Sequence, residues 1–303
     1  MTKHIVMHAV LALAILMAPR QSLAEEEQPI CRIAAISNLY LTTLSKQELG
    51  SSRSFIEYIA PAGIKRTIEA VNSLEPDALV VLGSLTWTGS DADFQKAKEA
   101  LAAVKVPLHI VPGPNDLKDG GLERFRRHFE KENVAGQSVN VRNVHLEFGT
   151  WLGERTAQAQ TELLDGVVSR LSKSGDAKAV LLFEGPDFRA TPDPATAPPN
   201  LKSYWKTIHD RHVAVRFVPT HAHYVAYEDS LPIWGVPSSG WSYSPKFSVA
   251  LITVYEKQIE LTLMRDPDQP VQSLVIPNPV AADRMPTAVE DPYGVPTYSE
   301  DLA

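Results

Sequence analysis

Phe217-Val218-Pro219-Thr220-His221-Ala222-His223-Tyr224 is a β-branched and aromatic run that ends in two histidines one residue apart. Histidine is the commonest protein metal ligand. In an extended or turning segment, a His-x-His pair can aim both rings at one point. The run before it, from Val213 to Val218, reads as a strand that delivers the pair to its C-terminal end. By itself such a pair is equally served by a ring hydrogen-bonded in a core. The rest of the chain decides what it means.

Upstream, the same pattern recurs. Cys31 to Ser37 is short, mostly apolar and reads as a buried strand, running into Asn38-Leu39-Tyr40-Leu41. Pro61 to Leu74 carries apolar residues at Ile64, Ile68, Val71 and Leu74, a helical spacing with proline near its start. Asp77 to Leu82 is a second buried strand, halted by Gly83-Ser84. A helix from Asp91 puts Phe94, Ala97, Leu101 and Val104 on one face. Val106 to Val111 is a third strand, stopped by Pro112-Gly113-Pro114. Strand, helix, strand, helix, strand is the pattern of right-handed crossovers over a parallel sheet. The loops Asn38–Tyr40, Gly83–Thr86 and Gly113–Asp116 are then neighbours, at the edge where an open α/β sheet places its chemistry.

Downstream, Leu122 to Glu132 reads as a charged helix, and Val139–Val141 and Val144–Phe148 alternate like strands at a sheet edge. A helix follows over Ala157–Leu171, then a strand over Ala179–Phe183 that ends at Glu184-Gly185-Pro186. Arg189 to Asn200 reads as a loop, and Leu201 to Arg211 as a short helix. Trp234, Phe247–Tyr255 and Ile259–Met264 suggest a closing set of antiparallel strands. From Asp266 onward proline recurs and apolar periodicity is lost, so 266–303 reads as an irregular Pro-rich tail.

Residues 1–24 form a unit of another kind. Lys3 is followed by an apolar run from Ile5 to Ala18, interrupted only by His8, and then by Ser22-Leu23-Ala24. This reads as a secretory signal peptide, too short for a stable membrane anchor. Cys31 follows Gln28-Pro29-Ile30, which lacks the small residue expected before a lipidated cysteine. The expectation is an exported protein, periplasmic or secreted, with one large domain over 25–265. The chain after residue 24 carries 27 basic against 36 acidic residues, a net of −9. Such a surface has no electrostatic footprint for nucleic acid or an anionic membrane, so neither is expected as a partner. The single cysteine excludes an internal disulfide.

The blocks in order resemble the calcineurin-like metallophosphoesterases. That family carries D-x-H after the first strand, G-D after the second, G-N-H-(D/E) after the third, a later lone His, then G-H-x-H. The corresponding text here is Ser37-Asn38-Leu39-Tyr40, Leu82-Gly83-Ser84, Gly113-Pro114-Asn115-Asp116, Phe183-Glu184-Gly185 and Thr220-His221-Ala222-His223. The resemblance covers roughly residues 31–264. It implies an α/β layered fold, a four-layer metallophosphoesterase sandwich of mixed β-sheets flanked by helices.

The resemblance breaks at the metal ligands. Asn38 stands at the first Asp position and Tyr40 at its His. Ser84 stands at the bridging Asp, Pro114 at the ligand Asn, Asn115 at the leaving-group His and Glu184 at the lone His. His221 and His223 are unchanged. Two divalent ions roughly 3.5–4 Å apart repel by about 15–20 kcal/mol at an effective dielectric near 20. A bridging carboxylate offsets that repulsion, and Ser84 is neutral. A one-residue shift of the third block would put Asn115 in the ligand position, but it restores no bridging acid.

Two functions therefore stay open. In the first, no cofactor binds, and the loop face takes a ligand or protein partner. In the second, His221, His223 and Glu184, with Asn38 as a fourth oxygen, hold a single divalent ion (Zn, Mn or Fe) that activates water for phosphoester hydrolysis. Asn115 and Asp116 are the candidate catalytic residues for that case. Asn115 cannot titrate. Trp87, in the loop after Gly83-Ser84, is placed to plug the pocket or to floor a new one.

Overall fold

The computed structural model describes residues 27–49, 54–149, 157–185, 200–220, 223–228, 230–239, 248–266 and 269–280. In chain order its elements are β1 (Cys31–Ser37), α1 (Lys46–Leu49), α2 (Ser54–Leu74), β2 (Ala78–Gly83), α3 (Asp91–Leu101), β3 (Leu108–Pro112), a 3-10 turn at Lys118–Gly120, α4 (Gly121–His128), β4 (Ser138–Val141), β5 (Val144–Gly149), α5 (Ala157–Leu171), β6 (Ala179–Glu184), α6 (Leu201–Asp210), β7 (Val213–Thr220), β8 (Val225–Glu228), β9 (Leu231–Pro237), β10 (Val249–Val254), β11 (Gln258–Asp266) and β12 (Gln269–Pro277).

Twelve strands make two six-stranded mixed sheets, ordered β12-β11-β10-β1-β2-β3 and β4-β5-β6-β7-β9-β8. The pairs β1–β2, β2–β3, β5–β6, β6–β7 and β7–β9 are parallel. Successive side chains on a strand face opposite ways, and that alternation builds three apolar layers. Ile33, Ala35, Val80 and Leu82 of the first sheet meet Leu146, Leu181, Phe183, Val215 and Phe217 of the second between the sheets. Phe148, Phe183 and Phe217 stack in sequence there, with centroids 5.5 and 4.7 Å apart. Ala34, Ile36, Leu79 and Val81 face the other way onto α2, α3 and α4. Val180 and Leu182 face α5 and α6 through Leu164, Val167, Tyr204 and Ile208. The layers run helix, sheet, sheet, helix, which is the expected fold.

Three expectations need correction. Trp234 lies on β9, which sits in the second sheet parallel to β7 and antiparallel to β8, and not beside β10 and β11. Helix α2 starts at Ser54, seven residues before Pro61. The stretch after Asp266 is not all irregular, because Gln269–Pro277 pairs antiparallel with β11 as the edge of the first sheet. Proline is tolerated at such an edge, where one row of amides has no ladder partner to lose. Residues 1–24, expected to be a signal peptide, and the residues beyond Val280 lie outside the described residues. Cys31, the only cysteine, is buried at the start of β1 beside Asp77, and burial pushes its thiol up to about 12.

Candidate functional site

The C-terminal ends of β1, β2 and β3 meet those of β7 and β9 along one edge of the sandwich, and Asn38 sits at the junction. Its backbone is left-handed, with φ 49°, a conformation that asparagine tolerates better than most residues. Its amide N–H donates to the Leu82 carbonyl (2.9 Å), and its carbonyl accepts from Ser238 Oγ (2.9 Å). Its side-chain Nδ2 donates to the Thr220 carbonyl at 3.2 Å. The other side-chain atom, Oδ1, lies 2.6 Å from where a Cβ on Gly83 would stand. One residue thus joins β2, β7 and the strand-end serine after β9. Ser37 reinforces the seam by donating to the Val236 carbonyl (2.8 Å).

The next two loops close on each other as tightly. The Ser84 hydroxyl accepts from the Asn115 amide at 3.2 Å. A Cβ on Gly113 would lie 2.3 Å from the Ser84 nitrogen, so that position admits only glycine without a shift of backbone. Asp116 is fully buried and accepts from Leu85 N, Thr86 N, Thr86 Oγ1 and Gly113 N, at 2.7–2.9 Å. Burial pushes its carboxyl up to about 6, against the pull of these donors. With both oxygens committed inside the protein, Asp116 is a loop organiser, and the catalytic part expected of it has no geometry to support it. Tyr40 packs edge-on against Trp87, centroids 5.7 Å apart, and burial raises its phenol to about 12.

Glu184 departs most from the expectation. Phe183 and Phe217 face the inter-sheet core, so Glu184 and Arg216 face the opposite side, under α6. The Glu184 carboxylate accepts from Arg216 Nε (3.0 Å) and Nη2 (2.8 Å), and from the Tyr204 hydroxyl (3.1 Å). Burial raises its carboxyl, and the guanidinium and the phenol oppose that rise. Arg216 also pairs with Glu228 on β8 and lies 5.1 Å beneath the Trp205 ring. Glu184 is therefore half of a buried ion pair, turned away from the loop edge. Arg216 went unnoticed in the sequence. A lone cation inside the apolar run Val213–Val218, beside a strand that ends in glutamate, was the available signal.

His223 lies just before β8. Its Nδ1 is 2.7 Å from the Gly235 carbonyl. A carbonyl only accepts, so Nδ1 carries a proton, and in the neutral ring the lone pair is on Nε2. Its ring is 4.4 Å from that of Trp234. His221 lies outside the described residues.

The donor set present does not fit a dinuclear centre. Asn38 and Ser84 are neutral and engaged with the protein, Pro114 has no side-chain donor, and Glu184 is paired with Arg216. Among the described residues, no three His, Cys, Asp or Glu side chains converge as a metal-holding group.

No protein-family model matches the chain. A glycerophosphodiester phosphodiesterase of Enterobacter lignolyticus is 28% identical over 135 residues, which is 41% of this chain and 48% of that protein. A probable glycerophosphodiester phosphodiesterase of Arcobacter nitrofigilis is 24% identical over 123 residues, 38% of this chain and 45% of that one. The chain thus spans about half the length of the curated relatives it matches. Among solved structures, a dimetal phosphatase from Danio rerio superposes with a TM-score of 0.62 at 13% identity, over 83% of this chain and 100% of that one. A purple acid phosphatase from yellow lupin gives 0.59 at 10% identity, covering 86% and 58%. GAP50, the anchor in the inner membrane complex of Plasmodium, gives 0.55 at 10% identity, covering 82% and 89%. At these identities the structural likeness speaks for the fold. In the order of its motifs, in its curated relatives and in its layered architecture, the chain resembles the calcineurin-like metallophosphoesterases.

Proposed function

We propose that this is an exported protein that keeps the metallophosphoesterase fold without the dinuclear centre, and that it works by binding a ligand or protein partner over its loop face. One observation carries this reading. At three positions that the resemblance assigns to metal ligands, Asn38 Nδ2 donates to the Thr220 carbonyl, Ser84 Oγ accepts from the Asn115 amide, and Glu184 is ion-paired with Arg216. An uncharged amide and an uncharged hydroxyl cannot offset the repulsion of two divalent ions. The competing reading is a hydrolase with a single metal ion at His221 and His223. In its neutral form His223 offers Nε2 to it, but that reading loses the carboxylate of Glu184. The curated relatives are named as phosphodiesterases, so phosphodiesters are the substrates to test.

The test uses the exported chain purified without a histidine tag. Its N-terminus is expected at Glu25 by mass, its metal content far below one ion per chain, and its turnover of phosphodiesters and phosphomonoesters negligible with added Mn²⁺ or Zn²⁺. Stoichiometric metal, with turnover abolished by His221→Ala, would establish the hydrolase instead.

A further inference from the structure

We infer that the free edge of β12 is a self-pairing surface, on which a second copy of this chain adds its own β12 antiparallel. The first sheets of the two copies, six strands each, then run on as one continuous sheet. The pairing is independent of what the loop face binds.

The edges of the two sheets are β12, β3, β4 and β8. A bare edge strand is a template for another chain, and proteins blunt it with short strands, charges, proline or cover. β4 and β8 are four residues long each, and β8 ends in Glu228. β3 is covered, since the Ile110 amide donates to the Glu132 carbonyl (2.7 Å) and the Ile110 carbonyl accepts from Val134 N (3.1 Å). β12 has nine residues and no charged side chain. Pro270 and Pro277 mark its ends, and Val271 is passed over in the register with β11. Gln272 to Ile276 is left as an uncharged stretch in unbroken register. Val271 and Val275, 48% and 50% exposed, are the most exposed large apolar side chains among the described residues.

The direction of the free amides follows from the strand's end. The Asn278 amide donates to the Lys257 carbonyl at 2.9 Å, so its N–H points at β11. In antiparallel pairing, successive residues alternate between bonding one neighbour and facing away from it. Ile276, Leu274 and Gln272 therefore bond to β11, and Ser273 and Val275 turn their N–H and C=O groups outward. A two-fold axis at Leu274 sets Ser273 opposite Val275 of the second copy, and Val275 opposite its Ser273, with both backbone hydrogen bonds made in each pair. Leu274, packed at the rim of the inter-sheet core, then meets its own counterpart. Charge selects this strand for a second copy. The chain after residue 24 nets −9, so two copies repel over most of their surface, and an uncharged strand is where they can meet. A standard stable interface uses about 20–30 residues a side, and this stretch supplies far fewer, so the dimer dissociates on dilution. β12 runs against β11, β11 against β10 and β10 against β1. Antiparallel pairing of the two β12 strands thus sets the two β1 strands antiparallel, and the loop faces point to opposite ends of the dimer.

Sedimentation of the purified chain over a range of about 1 μM to 1 mM is expected to show reversible dimerisation within that range. Amide hydrogen exchange on the same samples is expected to slow at Ser273 and Val275 as concentration rises, and to stay unchanged at Leu274 and Ile276, which bond to β11. Ser273→Pro removes an outward donor that β11 does not use, and Val275→Lys places a charge on the edge. Each is expected to weaken dimerisation about 10-fold or more while the denaturation midpoint of dilute protein holds. Should the proline variant unfold, Val275→Lys decides, because that side chain is half-exposed. A chain that stays monomeric across the range would overturn the inference, as would a dimer that Val275→Lys leaves intact. A monomer whose Ser273 and Val275 amides are protected at every concentration would overturn it too, by showing the edge held by the chain's own residues.

Discussion

Asn38 serves the loop edge through the donor half of its side-chain amide. A carboxylate at this position would offer two acceptors. The amide uses its Nδ2 as a donor, and the Thr220 carbonyl at 3.2 Å is what it serves. Asn38→Asp therefore does not simply restore an acid to the loop face. It sets an anionic oxygen against a carbonyl where the amide had a donor. The expected outcome is a loss of about 1–3 kcal/mol in unfolding free energy, read from a shift of the denaturant midpoint at constant slope. Gly83 leaves little room for relief, since its Cα already borders Asn38 Oδ1 and its φ is 80°.

At the scale of elements, His212 is a left-handed residue at a helix end. Helix α6 ends at Asp210, and His212 follows with φ 52°, its amide donating to the His209 carbonyl at 3.0 Å. A left-handed residue closing a helix is usually glycine, and a histidine there bears a Cβ penalty. His212→Gly is expected to raise stability by about 0.5–1 kcal/mol, seen as a higher denaturation midpoint. How far the elements were legible in the sequence follows the same local physics. The runs that became β1, β2 and β3 are mostly apolar and end at turn-forming residues, so their positions and parallel order could be read. The start of α2 was missed because Pro61 looks like a first-turn residue, although the helix passes through it. β12 was missed because Pro270 and Pro277 look like breakers, although an edge strand tolerates them. The direction of β9 depends on a partner many residues away, and no local signal carries that. At the site, motif order located Asn38, Ser84 and Glu184. It could not show Glu184 turned onto Arg216, since strand alternation has to be combined with the pairing of β6 and β7. The helix start at Asp91 was legible, and Ser90 caps α3 by accepting from the Asp93 amide. That the Asp93 carboxylate reaches Thr43 and Thr88 is a tertiary fact.

Across the whole molecule, the edge opposite the loop face is closed by its own contacts. Asp77 accepts from the Arg32 amide (2.9 Å) and from Arg142 at the β4–β5 turn, which links the two sheets. Lys178 pairs with Glu256, and Asn278 donates to the carbonyls of Lys178 and Tyr255. Asn278 directly follows β12, so the last strand also latches this edge. A chain that stops at Asp266 loses that latch together with Ile276 and Leu274 from the inter-sheet core. At about 1.5–3 kcal/mol per buried aliphatic side chain, the expected loss is at least about 3 kcal/mol, measured as a lower denaturation midpoint. An unchanged midpoint would mean that β12 contributes nothing to the sandwich. Cys31 belongs to the same end of the molecule, 1% exposed at the foot of β1 with its thiol raised to about 12. Since the thiolate is the reactive form, this sulfur is silent toward alkylating reagents while the chain is folded. Any cysteine introduced on the far loops would be the sole addressable thiol, so dyes or spin labels can be placed there without first editing the native sequence.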